Sequence, residues 1–437
     1  MKWLRRCGRF LAFSVGALAI SALFHGTAFA LDDAAVVALR QELAALKSRI
    51  AVLEARLADD AGQPVAEPAR TPAPAAPLPE RAPTVTVGGR VKLDVIGNSH
   101  SADGGSSNRA DVALLPSAIP ISGNGEDDQV KFSARNSRLW VKALTPSELG
   151  DFAAYIELDF FSSSGAGDES VTSGYVPRLR HGYGQWRGWL GGQTYSTAID
   201  LAAYPEINDD GAPLGVMLVR QPMVRWSHDW GEHGLALALE SPDSLVRARD
   251  GRRLAPDDER LPDFALRYEQ RHRWGHWSLG ALAREIRIDQ TGADDTAFGG
   301  AVTLSGKRRF GERDDVRVML SGGNAIGRYL SAGIFDDARL DSGGDLELVT
   351  AAGGYVAYRH WWAPRWRSNL LIGAAWMDDD GAVGEENERA YSVHVNLLWS
   401  PILTTSIGLE WIHAERERVD GRDGTLDRLQ FTAIHKF

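Results

Sequence analysis

A period of two in hydrophobicity begins at Thr84 and runs to Phe437. Val85, Val87, Val91, Leu93 and Val95 share one face, and Thr86, Arg90, Lys92 and Asp94 share the other. Phe152, Ala154, Ile156, Leu158 and Phe160 alternate with Ala153, Tyr155, Glu157 and Asp159, and Tyr391, Val393, Val395, Leu397 and Trp399 with Ser392, His394 and Asn396. Successive side chains of a strand point to opposite faces, so each stretch predicts a strand with one apolar and one polar surface. Many reach the about 9–11 residues that cross a bilayer when tilted. About sixteen such segments are present, and an even number is what a closed single-chain membrane barrel requires.

The connections alternate in length. Long ones are predicted at Ser99 to Val130, Ser162 to Pro177, Thr197 to Val216, Pro242 to Pro262, Ala325 to Leu346 and Asp379 to Glu388. Short ones separate them, such as Thr145 to Gly150, Arg187-Gly188, Asp229 to Gly234, Arg271 to Gly275, Ala363-Pro364 and Ser400-Pro401. Long loops on one side and tight turns on the other mark an up-and-down membrane barrel, and a soluble sandwich has no reason to keep that parity. Trp186, Trp189, Trp226, Trp230, Trp274, Trp277, Trp361, Trp362, Trp366 and Trp399 flank the short turns, where indole rings would form an interfacial girdle. The last segment carries Leu429, Phe431, Ala433 and Phe437 on one face, and a terminal aromatic residue resembles the signal read by outer-membrane assembly machinery. The fold class is an all-β transmembrane barrel of about sixteen antiparallel strands in the outer membrane of a Gram-negative cell.

The pattern before Thr84 is different. Residues 1–30 read as a secretory signal peptide: Lys2, Arg5, Arg6 and Arg9, an apolar run from Phe10 to Phe24, and Ala28-Phe29-Ala30 ahead of a cleavage point at Leu31. In residues 31–58, Val36, Leu39, Leu43, Leu46, Ile50, Leu53 and Leu57 recur in steps of three and four, a heptad seam that predicts a short coiled-coil oligomerisation helix in the periplasm. The pairs Glu42 with Lys47 and Arg49 with Glu54 attract in a parallel bundle, while the heptads leave the number of helices open. Residues 59–83 are rich in proline and alanine and predict a stiff linker.

Composition then removes alternatives. The single cysteine, Cys7, lies in the signal segment, so a disulfide framework, a thiolate metal site and a cysteine nucleophile are excluded from the mature chain. No later run is apolar enough for a membrane helix. A hydrophobic content of 44% and a net charge of −10 suit a barrel whose strands average polar and apolar faces. No G-x-S-x-G or H-E-x-x-H motif is present, which argues against a barrel enzyme. A structural tether or adhesin built on the coiled coil is the other alternative. No cofactor, metal or nucleic-acid partner is predicted; the partners are outer-membrane lipid, lipopolysaccharide and copies of the chain.

Several stretches together resemble the DcaP-like trimeric outer-membrane porins. They are Ala134-Arg135-Asn136-Ser137-Arg138 running to Thr145-Pro146-Ser147-Glu148-Leu149-Gly150-Asp151, then Tyr155-Ile156-Glu157-Leu158-Asp159-Phe160-Phe161. Arg178-Leu179-Arg180-His181-Gly182-Tyr183-Gly184, Gly192-Gln193-Thr194-Tyr195-Ser196-Thr197 and Val219-Arg220-Gln221-Pro222 complete the set, along with the coiled-coil prefix and linker. The resemblance implies a homotrimer of sixteen-stranded barrels that takes up small anionic solutes such as dicarboxylates by passive diffusion.

A lumen of that width needs narrowing. The third long loop, Thr197 to Val216, carries Asp200, Glu206, Asp209 and Asp210 and is the candidate constriction, although Asn208-Asp209-Asp210-Gly211 also reads as a solvated turn. Strand parity gives Arg90, Lys92, Arg138, Lys142, Arg225, Arg267, Arg284 and Arg317 as inward cations, and Asp94, Glu157, Asp159, Glu240, Glu269 and Glu410 as inward acids. The local excess of cations leans toward anions. Parity counted from Trp186 points Arg178 and Arg180 outward, whereas the resemblance places them in the pore.

Overall fold

The computed structural model describes residues 82–102, 108–121, 127–162, 174–290, 292–382 and 384–437. The expected signal peptide and coiled-coil helix, and the linker as far as residue 81, lie outside the described residues. Among the described residues, seventeen strand segments form one closed antiparallel sheet. Two of them, Asp127–Ser133 and Arg138–Thr145, pair with successive halves of the same neighbour and are one interrupted strand, so the barrel has sixteen. In chain order these are β1 (Thr84–His100), β2 (Asp127–Ser133 with Arg138–Thr145), β3 (Phe152–Asp159), β4 (Arg178–Trp186), β5 (Trp189–Tyr195), β6 (Arg220–Trp230), β7 (His233–Glu240) and β8 (Asp263–His272). There follow β9 (Gly275–Gln290), β10 (Ala293–Phe310), β11 (Asp314–Asn324), β12 (Thr350–Ala363), β13 (Trp366–Met377), β14 (Asn387–Ile402), β15 (Thr405–Arg418) and β16 (Asp423–Lys436).

Each strand pairs with the next in sequence, and β16 returns to β1 from Arg90↔Lys436 to Asn98↔Arg428. At the seam the Gly89 and Phe437 backbones exchange two hydrogen bonds, of 3.0 and 3.1 Å. Closure leaves no unpaired edge, which a sheet in lipid cannot tolerate. The alternation explains the outer surface: Leu93, Val141, Ile156, Val224, Leu239, Leu279, Val302, Leu320, Val356, Ile372, Leu397 and Leu409 are all exposed. Tight turns join the strands at one end. In the Arg187-Gly188 turn both residues have positive φ, 46° and 84°, the geometry that matches strand twist in a two-residue hairpin.

Two features depart from the sequence reading. The connections after β9 and β15 are as short as turns, so the long-loop side carries two tight links as well. The inner face is not uniformly polar either. Ala238, Ala265, Leu282, Met319, Tyr355, Leu371, Ala375, Ala390 and Ile412 point inward from the wall and pack with Leu114, Ile119, Ile199, Leu214, Met217, Tyr329, Leu330 and Phe335 from three loops. One side of the lumen is therefore filled by a hydrophobic core. Above it, Val246–Arg247, Arg253–Leu254, Ala338–Leu340 and Leu346–Leu348 form a small four-stranded lid from the loops after β7 and β11.

Candidate functional site: the loop-lined lumen

The third loop, residues 196–219 between β5 and β6, runs around the inside of the wall. Thr197 N donates to Glu240 on β7 (2.7 Å), and the Ile199 carbonyl accepts from Arg267 on β8 (3.4 Å). Asp200 caps a single 3₁₀ turn, Leu201–Ala203, by accepting from Ala202 N. The same carboxylate meets His276 Nε2 on β9 at 2.7 Å and Ser305 Oγ on β10 at 3.1 Å. The Tyr204 carbonyl takes a bond from Arg317 on β11. Glu206 lies between Arg359 on β12 (3.1 Å) and Arg367 on β13 (2.9 Å), and Asn208 N donates to Glu410 on β15 (2.6 Å). Asp209 accepts from Arg428 on β16 (2.7 Å) and from Leu114 N of the first loop (3.0 Å). Asp210 completes the circuit on β1 and β2.

At that point the loop and the wall form a tight charge cluster. Arg90 Nη2 donates to both Asp210 oxygens at 2.7 and 2.8 Å, Arg138 Nη2 donates at 2.9 Å, and Lys92 Nζ also bonds this carboxylate. Burial pushes the Asp210 pKa up, but the charges of Lys92, Arg90 and Arg138 outweigh it and hold the carboxyl well below its ordinary range. Glu206 behaves alike: burial raises its pKa, and the bonds and charges of Arg367 and Arg359 bring it down overall. The return path depends on a close approach. A Cβ on Gly215, whose φ is +78°, would fall 2.1 Å from the Gly354 carbonyl oxygen. Leu214 N donates to Ser392 Oγ on β14 (3.2 Å), and a Cβ on Gly373 would fall 2.0 Å from the Leu214 carbonyl oxygen.

Among the described residues the loop makes no hydrogen bond to β3, β4 or β5, whose inner faces border the open side of the lumen. Trp140 on β2 and Tyr155 on β3 stack there with ring centroids 6.1 Å apart, Tyr183 on β4 lies 5.5 Å from Tyr155, and His181 lies 5.2 Å from Tyr195 on β5. Glu157 accepts from Arg180 (2.6 Å) and Tyr155 (2.8 Å), and Asp159 from Arg178 (2.7 and 2.9 Å) and Arg180 (2.9 Å). Parity pointed Arg178 and Arg180 outward, and the structure corrects this. The register slips between Glu157 and Leu158, leaving Arg180 as the extra residue of a β-bulge that turns both arginines inward.

Other predicted wall residues are dispersed. Asp94 is buried against Thr432 Oγ1 (2.6 Å) and Gln430 Nε2 (2.9 Å). Arg317 pairs with Asp315 (2.7 Å) beneath the loop, and Arg284 joins Asp263 (3.0 Å) and Asp337 (2.9 Å) under the lid. Among the described residues Arg267 has only Glu269, at 3.8 Å, besides the Ile199 carbonyl. The side chains of Arg225 and Lys142 make no hydrogen bond or ion pair among the described residues. Trp361 departs from the girdle: it lies on the lumen side, with Arg313, Arg359 and Arg367 at 5.3–5.8 Å from its ring.

Arg220 was missed by the parity reading. It is the first residue of β6, where alternation from Arg225 would send it outward. Instead its guanidinium lies 5.5 Å from the Tyr195 ring, among the charges of Arg180, Arg178 and Asp159. Its Nη1 is buried without a hydrogen-bond partner among the described residues. The signal that could have found it is its place in the Val219-Arg220-Gln221-Pro222 stretch directly after the third loop. Asp378, Asp379 and Asp380 lie close enough to share a cation, but all three are exposed on the loop after β13 and are no site by themselves.

Solved structures of outer-membrane channels share the architecture of this barrel. It is similar to the outer membrane channel DcaP of Acinetobacter baumannii, with a TM-score of 0.71 and 23% identity over 81% of this chain and 97% of that one. It also resembles an anion-selective porin from Comamonas acidovorans (TM-score 0.53, 11% identity, 82% of this chain and 100% of that one). OmpF of Salmonella typhi, solved with daunomycin, has a TM-score of 0.51 at 7% identity, covering 81% of this chain and 97% of that one. No curated protein matches the sequence. The profile of the DcaP outer membrane proteins matches residues 86–437, nearly the whole barrel from the third residue of β1 onward. The chain belongs to the DcaP outer membrane protein family.

Proposed function

We propose that this porin passes small hydrophilic anions, dicarboxylates among them, by passive diffusion along the side of the lumen bordered by β3–β5, and that it works as a trimer. The observation that carries the reading is Arg220, whose buried Nη1 has no acceptor among the described residues. A buried donor left unmade is costly, and an anion in the lumen is the partner that would satisfy it. Arg225 and Lys142 add further unpaired cations, whereas Glu157 and Asp159 are already engaged by Arg180 and Arg178. The carboxylate of Asp210 is outnumbered by Arg90, Lys92 and Arg138, so that cluster as a whole remains positive. The Comamonas porin of similar fold is described as anion-selective; at 11% identity the likeness supports the architecture, so the weight rests on the arginines. The heptads of residues 36–57 and the resemblance to trimeric porins support a trimer.

The test is planar-bilayer recording with a potassium chloride gradient. Ohmic steps in groups of three with a chloride-selective reversal potential are the expected result. Cation selectivity would overturn the anion reading and leave the channel. No conductance from folded protein would overturn the channel reading itself.

A further inference from the structure

A second concentration of positive charge lies at the short-turn end of the barrel, beneath the third loop. The end of β10, the turn that follows, and the end of β12 bring Lys307, Arg309, Arg313 and Arg359 around a cavity of about 360 Å³ beside Trp361. Two acids also line it, Glu312 and Asp315. Asp315 is buried and already bonded by Arg317 (2.7 Å) and Arg359, while Glu312 is an exposed residue of the turn.

The cations are under-used. The Arg309 side chain makes no hydrogen bond or ion pair among the described residues. Among the described residues Arg313 hydrogen-bonds only the Pro364 carbonyl, at 3.5 Å, and Lys307 meets only one acid, Asp315, at 3.8 Å. Arg359 is fixed in place by Glu206 and Asp315, yet its Nε is buried with no acceptor among the described residues. A rigid guanidinium with an idle donor beside three loosely held cations is a preformed oxyanion cradle. Four cations against two acids leave two positive charges unmatched in the lining, so the pocket fits an anion bearing two or more negative charges.

We propose that this cavity is an exit-side binding site for small polyvalent oxyanions, separate from the cluster around Asp210. It rests on the porin reading for its role but not for its existence. Lys307, Arg309 and Arg359 lie on the lumen side of the wall, so the ligand is a dissolved solute and not a lipid headgroup. A second site below the constriction gives an anion that has passed the narrow level a place to go, and such sequential sites favour throughput over trapping. It also makes the channel asymmetric. A polyvalent anion reaches this pocket directly from the periplasmic side, whereas from outside it must first pass the constriction.

The experiment uses the full chain in planar bilayers at low salt, with inorganic pyrophosphate added to either side in turn. The expected result is reduction of chloride current at a concentration about tenfold lower from one side than from the other, the effect of one charge-assisted contact. The Arg309→Gln/Arg313→Gln double variant is expected to lose that sidedness while still conducting chloride. Equal block from both sides, or sidedness retained in the variant, overturns the proposal. Calorimetry in detergent decides binding even if no current flows: the wild type is expected to bind one pyrophosphate more per chain than the variant. Equal stoichiometry overturns the site. Absence of current with that difference intact would count against the porin reading alone.

Discussion

At the scale of single residues, Asp210 and Arg220 pull selectivity in opposite directions. Asp210→Asn would leave Arg90, Lys92 and Arg138 facing an uncharged amide, so chloride selectivity should rise, read as a larger reversal potential in the same salt gradient. Arg220→Gln combined with Arg225→Gln should move that potential toward zero. Acidification supplies a check on the charge of Asp210. Its pKa is held below that of a free aspartate, roughly 4. The contribution it makes to docking the loop is therefore full above that value and is lost only as pH falls further, through its own lower pKa. Single-channel conductance recorded from pH 7 down to about 4 should show no step from release of the loop; a step within that window would contradict the geometry. Of these residues Arg90, Lys92, Arg138 and Asp210 were legible, because each sits at a regular position of a strand or in an acidic loop. Arg220 and Arg180 were not, since a strand end and a bulge both break the count of two on which parity depends.

At the scale of elements, the third loop is held by backbone contact as much as by charge. Gly373 presents bare backbone to the Leu214 carbonyl, so Gly373→Val places a side chain where the loop lies. Overpacking of this kind costs about 1–3 kcal/mol and is relieved here by displacing the loop into the open side. The expected outcome is a barrel that still resists detergent at room temperature but conducts less than the wild type; unchanged conductance would show that the loop yields elsewhere. Strands were readable because lipid on one face enforces strict alternation. The loop's path was not, because it is set by contacts with twelve strands, β1, β2 and β7–β16, that are remote in sequence. The apolar inner residues of β7–β15, such as Ala238 and Leu371, were hidden for the same reason: alternation reports which side faces lipid and says little about what covers the other.

At the scale of the whole molecule, closure between β1 and β16 depends on the last residue as well as on the register before it. Deleting Phe437 removes both hydrogen bonds to Gly89, each about 0.5–1.5 kcal/mol, and the ring that lies against that glycine. The temperature at which the folded band converts to the unfolded one on a gel should fall, while single-channel conductance is kept in molecules that do close. The barrel and its strand number followed from periodicity and loop parity, whereas its asymmetric filling is a property of the assembled chain. That asymmetry bears on how such channels diverge. Along the filled side, natural selection acts on side-chain volume, since any exchange must still fit the packed loops. Along β3–β5 it acts on charge and hydrogen bonding, with little repacking to accommodate. A lineage can thus alter its diet of solutes through a few substitutions on one side and keep the rest of its architecture unchanged.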